Sequence, residues 1–226
     1  MNRAMIKWQQ QQKRRNRSGH YFRQMGKVVT HNYVPGTEKY ERDDEDSFMW
    51  VGYEDNPTEE ININVDLVKP NEKFELYGIL LGMGNKSLVI NVNVVHRAVN
   101  TRSRLVLKGI LTEKSSIKFN GITHIERGAK QTNAWLECRL LLLSDQAKGQ
   151  AIPALEILEN DVKAGHASTA GRINDLELFY LQSRGLSPKK AKRLIAEGFV
   201  KSVFDEGNFG GGEQNLKKWL NQLHYD

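Results

Sequence analysis

Residues 161–185 read DVKAGHASTAGRINDLELFYLQSRG. The first half alternates small and polar residues around one histidine, the pattern of a strand with one face turned inward. A few residues later the period becomes helical. Asn174 or Asp175 can cap a short helix, with Leu178, Phe179 and Leu181 on or near its buried face, and Gly185 stops it. This stretch therefore places a boundary, with β structure before it and helices after it.

Upstream, residues 47 to about 170 consist of short β-branched runs broken by Gly, Asn, Pro and Asp, with no helical period. Candidate strands cover residues 61–65, 73–81, 87–96, 103–111, 115–124, 133–143, 151–157 and 162–170. Most alternate, as Leu105, Leu107 and Gly109 do, or Ile117 and Phe119, so one face of each is expected to be buried. Two architectures accommodate many short strands: an antiparallel sandwich, or a β-solenoid whose turns of chain cover each other's apolar faces. Tight hairpins favour Asn-Gly connections. The one Asn-Gly pair, Asn120 followed by Gly121, lies inside a strand run and not between two matched runs.

Downstream, Ser187 followed by Pro188 is a cap and a first helical position. The spacing predicts a helix that ends at Gly198, with Ala191, Leu194 and Ile195 inward and Lys189, Lys190, Lys192 and Arg193 in water. A Gly-rich stretch, residues 207–212, leads to a last amphipathic helix with Leu216, Trp219, Leu220 and Leu223 at helical spacing, expected to cover an open end of the β core. The chain thus divides into a charged, disordered arm over residues 1–45, a β core over 46–172 and a helical subdomain over 173–226.

The net charge of +6 suggests nucleic acid until it is split along the chain. Residues 1–37 hold eight Lys or Arg and no acid, whereas residues 38–60 hold ten acids against Lys39 and Arg42. The arm has too little apolar surface to order independently and reads as a solvated tail. Its basic block could draw weakly on phosphates, but nothing in it reads base identity, and nucleic acid is not expected as a partner. The longest apolar run, residues 140–143, is far short of the roughly 20 residues of a spanning helix, so no membrane segment is expected. With no apolar core behind its charges, the N-terminus does not read as a secretory signal.

Cys138 is the single cysteine, which rules out an intrachain disulfide and cysteine-only ligation of a metal by one chain. It alternates with Leu136, Leu140 and Leu142, so the thiol falls on an apolar face, where it packs as a small hydrophobe with a raised pKa. His166 alternates with Val162, Ala164, Ser168 and Ala170, small side chains that leave room around an imidazole. Such a histidine is more often hydrogen-bonded structure than a ligand. The run from Gly82 to Ser87 imitates the end of a phosphate loop but lacks its spacing and reads as a tight turn. His31, His96, His124 and His224 show no zinc-ligand spacing. Glu156 and Asp161 could be a glycosidase carboxylate pair on a β-helix, but a solvated turn explains them better.

These motifs resemble the SufB/SufD family, the scaffold proteins of an iron–sulfur cluster assembly machine. Asp161, Val162, Lys163, His166, Thr169, Gly171, Ile173 and Asp175 match D-V-K-x-x-H-x-x-T-x-G-x-I-x-D. Phe179, Tyr180, Leu181, Ser183, Arg184 and Gly185 match F-Y-L-x-S-R-G. Thr101 and Ser103 match a T-x-S segment, and Glu137 with Cys138 an E-C-x-x-L run. The likeness covers roughly residues 91–204, with a looser extension back to Ile61.

The resemblance implies a right-handed parallel β-helix with a C-terminal helical piece, in a short member without the family's long N-terminal region. It implies a cytoplasmic scaffold and no enzyme, with ATPase activity in a SufC-type partner docked through Phe179, Tyr180, Arg184, Gly185 and Phe199. A second SufB/SufD-like subunit, identical or different, would pair through the β-helix. Cys138 and His166 would then handle sulfur or ligate metal in a transient iron–sulfur cluster between subunits. The chain also departs from the pattern. SufB has a glutamate where Ala167 stands, SufD often has a cysteine where Ala164 stands, and one cysteine cannot build a sulfur relay within the chain. The alternative reading is an interaction protein that keeps the fold and has lost cluster assembly; a carbohydrate-active β-helix is the third.

Overall fold

The computed structural model describes residues 38–39, 47–52 and 58–207 together with Leu220, Asn221, Leu223 and Tyr225, with side chains from Glu60 onward. The rest of the charged arm, His31, His224, Leu216 and Trp219 lie outside the described residues. Ten strands follow in order: β1 (Glu38–Lys39), β2 (Ser47–Gly52), β3 (Thr58–Leu67), β4 (Lys73–Gly82), β5 (Ser87–His96), β6 (Arg102–Leu111), β7 (Ser116–Ile125), β8 (Thr132–Leu142), β9 (Lys148–Ile157) and β10 (Val162–Arg172). Two helices complete the described chain, α1 (Asp175–Ser183) and α2 (Pro188–Gly207).

Every ladder is parallel, and consecutive strands belong to different sheets. One sheet runs β1-β3-β5-β7-β9 and the other β10-β8-β6-β4-β2. The chain therefore winds as a β-solenoid, and the antiparallel sandwich is excluded. Each turn of chain lays one strand on each sheet, so like residues stack. The Ser116 hydroxyl meets that of Ser87, 29 positions earlier, at 2.8 Å. On the outer face of the first sheet, Asn120 Nδ2 donates to Asn91 Oδ1 and Asn91 Nδ2 to Asn62 Oδ1, each at 2.8 Å. Such amide ladders add side-chain hydrogen bonds to those of the backbone.

The corners stack as well. Asn71, Asn100 and Gln131, each two residues before its strand pairing resumes, have φ of 67°, 55° and 60°. Asparagine tolerates this left-handed region better than most residues. Gly84, with φ of 65°, turns the chain between β4 and β5, so the run from Gly82 to Ser87 is the turn its sequence suggested.

Strict alternation along β5 and β7 puts Leu88, Ile90, Val92, Val94, Ile117 and Phe119 inside the solenoid, against Leu105, Leu107, Leu136, Cys138 and Leu140 from the other sheet. β4 and β6 are buried almost throughout. Their second face, Tyr77, Ile79, Leu81, Val106 and Ile110, packs under Ala196, Val200, Val203, Leu220, Leu223 and Tyr225. Leu220, Leu223 and Tyr225 thus cover the flank of a sheet, not the open end of the core that the apolar spacing suggests. Burial on both faces is why these strands read as near-continuous apolar runs.

Two expectations for α2 need correction. The helix continues through Gly198 to Gly207, and its inward stripe is Ala191, Ala196, Val200 and Val203 with Ile195 partly buried beside them, so that of the expected inward residues only Leu194, 49% exposed, faces out. A helical glycine costs about 1 kcal/mol relative to alanine. Burial of Val200 and Val203 on the sheet, about 1.5 kcal/mol or more each, outweighs that cost.

Candidate functional site

β9 and β10 are the last strands of their sheets, and they form an open end where core positions meet solvent. The edge strand carries residues that suit this position. Pro153 lies in β9, where a missing N–H is tolerated, and β10 is built from Ala, Gly, Ser and Thr around His166. His166 is exposed.

Cys138 lies one strand further in. Its neighbours Leu136 and Leu140 belong to the solenoid core, and the thiol is fully buried with them. Burial, with a smaller contribution from the Glu137 charge, pushes its pKa up to about 12. In this conformation the sulfur is a protonated, inert thiol, since the thiolate is the ligand and the nucleophile. The register pairs His166 with Leu136 and Ser168 with Cys138. Cys138 and His166 therefore share a sheet face on adjacent strands, two positions out of step, with Cα atoms about 8 Å apart by strand spacing and rise. Among the described residues no group of three or more His, Cys, Asp or Glu could hold a metal ion.

Three features lay outside what residue spacing could reveal. His96 is fully buried, its Nδ1 2.8 Å from Thr101 Oγ1 and its Nε2 2.9 Å from Ser103 Oγ. Thr101 Oγ1 continues to Thr132 Oγ1 at 3.0 Å. Burial lowers the His96 pKa to about 4, so it is a neutral, hydroxyl-satisfied core histidine. Glu137, also buried, meets Arg139 Nε at 2.6 Å and accepts from Trp135 Nε1 at 3.4 Å. Lys108 is buried beneath α2. The helix that covers Lys108 is remote in sequence, so alternation alone marks its position as wet.

The helical end presents a second surface. Asn174 caps α1 by accepting from the Leu176 N–H at 2.9 Å. At the other end Gly185, φ 89°, donates to Gln182 O and Leu186 to Leu181 O, a glycine-terminated Schellman stop. Between the caps no residue of α1 is buried. Leu176 is 76%, Phe179 70% and Tyr180 58% exposed, and the Arg184 guanidinium lies 5.3 Å from the Tyr180 ring centre. Nine-residue helices are marginal on their own, and this one leaves Phe179 and Tyr180 largely in solvent. Phe199 is placed differently. It is half-buried against the flank of the sheet, with Lys108 Nζ 5.5 Å from its ring centre.

Comparison with known proteins agrees with this geometry. The family "SUF system FeS cluster assembly, SufBD core domain" matches residues 47–199. The iron–sulfur cluster assembly protein SufD of Bacillus subtilis is 36% identical over 138 residues, covering 61% of this chain and 32% of that protein. SufBD family proteins of Staphylococcus saprophyticus and Staphylococcus haemolyticus are 28% and 29% identical over 141 residues, covering 57% of this chain and 30% of each relative. The chain thus matches about a third of the length of these relatives. Since the family match runs from β2 well into α2, across more than half of the sequence, this protein belongs to the SufBD core family of the SUF iron–sulfur cluster assembly system.

Proposed function

We propose that the chain is a cytoplasmic scaffold subunit for iron–sulfur cluster assembly, docking a SufC-type ATPase on α1 and pairing with a second SufB/SufD-like subunit through its open solenoid end. The observation that carries this reading is the position of His166, exposed on the edge strand beside the strand that holds Cys138. An unpaired β10 offers its backbone groups to another strand. A partner subunit there would lie over His166 and within reach of the layer that contains Cys138.

The cluster is cargo and not a resident group. Thiolate and neutral imidazole both ligate iron, so Cys138 and His166 can contribute one ligand each, with the remainder from the second subunit. Cys138 must first be uncovered, because a buried thiol with a pKa of about 12 carries almost no thiolate at neutral pH. Force from an ATPase on α1 would supply that opening. In this reading the chain needs no nucleotide site, and turnover belongs to the partner. Affinity purification of the full-length protein from its native host tests the partnership directly: a transporter-type ATPase should accompany the wild type and be lost with Phe179→Ala.

A second reading keeps the fold and the docking surfaces but not cluster assembly. Ala164 and Ala167 beside His166 favour it, since neither supplies a metal ligand. Retention of the ATPase without any cluster, under anaerobic reconstitution with iron and sulfide, would select this reading.

A further inference from the structure

Nothing within the fold calls for a glycine at position 198. The residue lies inside α2, where a glycine costs about 1 kcal/mol relative to alanine. Other glycines of the chain have visible reasons. A Cβ on Gly109 would lie 2.5 Å from the Leu140 side chain and one on Gly165 2.6 Å from the Trp135 ring, while Gly84, Gly128 and Gly185 have φ of 65°, 88° and 89°. Gly198 has neither reason: its backbone is helical, and a Cβ there meets nothing within 4 Å. Gly171 shares this, and it lies on the edge strand β10.

Gly198 sits on the outward ridge of α2. Lys190, Leu194, Gly198 and Lys201 are all exposed and recur every three to four residues, the spacing of one helix face. The opposite face holds Ala196, Val200 and Val203 against the sheet. Leu194, 49% exposed and one turn before the glycine, makes an apolar step beside a notch without a side chain. Packed helix axes lie about 8–10 Å apart according to the side chains at the contact, and glycine permits the closest approach. The surroundings are basic. Residues 184–201 hold six Lys or Arg against Glu197 alone, and Glu197 is already engaged by Arg193 Nε at 3.0 Å. The first turn of α2 has no acid; Lys189 and Lys190 stand there, against the positive end of the helix dipole, an arrangement that an acidic neighbour relieves. Since α2 packs against α1, one partner can reach both helices.

We propose that the ridge around Gly198 seats an acidic helix of the ATPase partner, with the crossing point on Gly198 and Leu194 packed beside it. The proposal rests on the docking reading above and extends it from α1 to α2. Gly198→Ala and Gly198→Leu are suited to the test, because both residues form helix better than glycine and the site is open. In urea both variants should be at least as stable as wild type. Calorimetry of the full-length protein with the ATPase that accompanies it should show binding about tenfold weaker with alanine, and about tenfold weaker again with leucine, as a filled notch holds the helices apart. Lys189→Glu/Lys190→Glu should weaken binding as well, by more at low salt than at high salt. Unchanged affinity in both glycine variants overturns the inference. Equal losses with alanine and leucine also overturn it, since they report a stiffened helix and not a filled notch, and so does binding that ignores the lysine reversal. A wild type that binds no ATPase removes the docking reading and this inference together, whereas binding that weakens with Phe179→Ala but not with either glycine variant removes the inference alone.

Discussion

Cys138 faces Ser168 across the β8–β10 ladder, while His166 faces Leu136. The two residues with ligand chemistry are thus neighbours on one sheet face but diagonal ones, the cysteine sealed in the core and the histidine at the rim. In the proposed scaffold role, Cys138 would have to be uncovered before it could act as a ligand.

The first consequence is an inert thiol in the isolated protein. With a pKa of about 12 against an ordinary value near 9, Cys138 has about a thousandfold less thiolate than a free cysteine at pH 8. Alkylation followed by mass spectrometry should show labelling at least that much slower than in the urea-unfolded chain. Labelling at a rate near that of the unfolded chain would mean that Cys138 is open at rest.

His96 predicts an acid-sensitive core. Its folded pKa of about 4 lies below the ordinary 6.5, so the unfolded chain binds the proton more readily. The stabilisation is complete above pH 6.5 and is lost as pH falls toward 4. Across that window the lost stability amounts to about 3 kcal/mol. Urea titrations at intervals of pH should show this slope in the wild type and a flatter one in His96→Gln.

Two glycine substitutions should act in opposite directions. Gly198→Ala in α2 meets nothing within 4 Å and should stabilise by about 0.5–1 kcal/mol. Gly109→Ala would place its Cβ 2.5 Å from the Leu140 side chain and should destabilise by about 1–3 kcal/mol. Thermal melts of both variants check the pair.

Phe179→Ala separates docking from folding. A side chain that is 70% exposed contributes little to stability, and the loss should stay within about 0.5 kcal/mol. Binding of the ATPase, measured by calorimetry on purified components, should weaken by at least about tenfold, the cost of losing an aromatic anchor. Equal affinity would remove α1 from the docking surface.

Alternation made most of this fold legible. The runs of β5 and β7 announce their strands because every second side chain faces a continuous core, and β4 and β6 do so as near-continuous apolar runs buried on both faces. What stayed hidden depends on contacts distant in sequence. Gly198 reads as a helix end, yet Val200 and Val203 beyond it are buried on the sheet and carry the helix on. Leu194 has a helical apolar spacing but faces outward, Lys108 occupies an outward position that α2 closes over, and Glu137 is buried beside Arg139 and Trp135. At the site, the motif residues located β8, β10 and α1, but the depth of Cys138 and its diagonal relation to His166 come only from the register.

Anaerobic reconstitution tests the scaffold reading most directly. The full-length chain, with its ATPase partner, ATP, iron and sulfide, is followed by visible absorption and by iron and sulfide content. Wild type should acquire a cluster that Cys138→Ala and His166→Ala each lose while still binding the ATPase. A wild type that acquires none, or a cluster that survives Cys138→Ala, would contradict it.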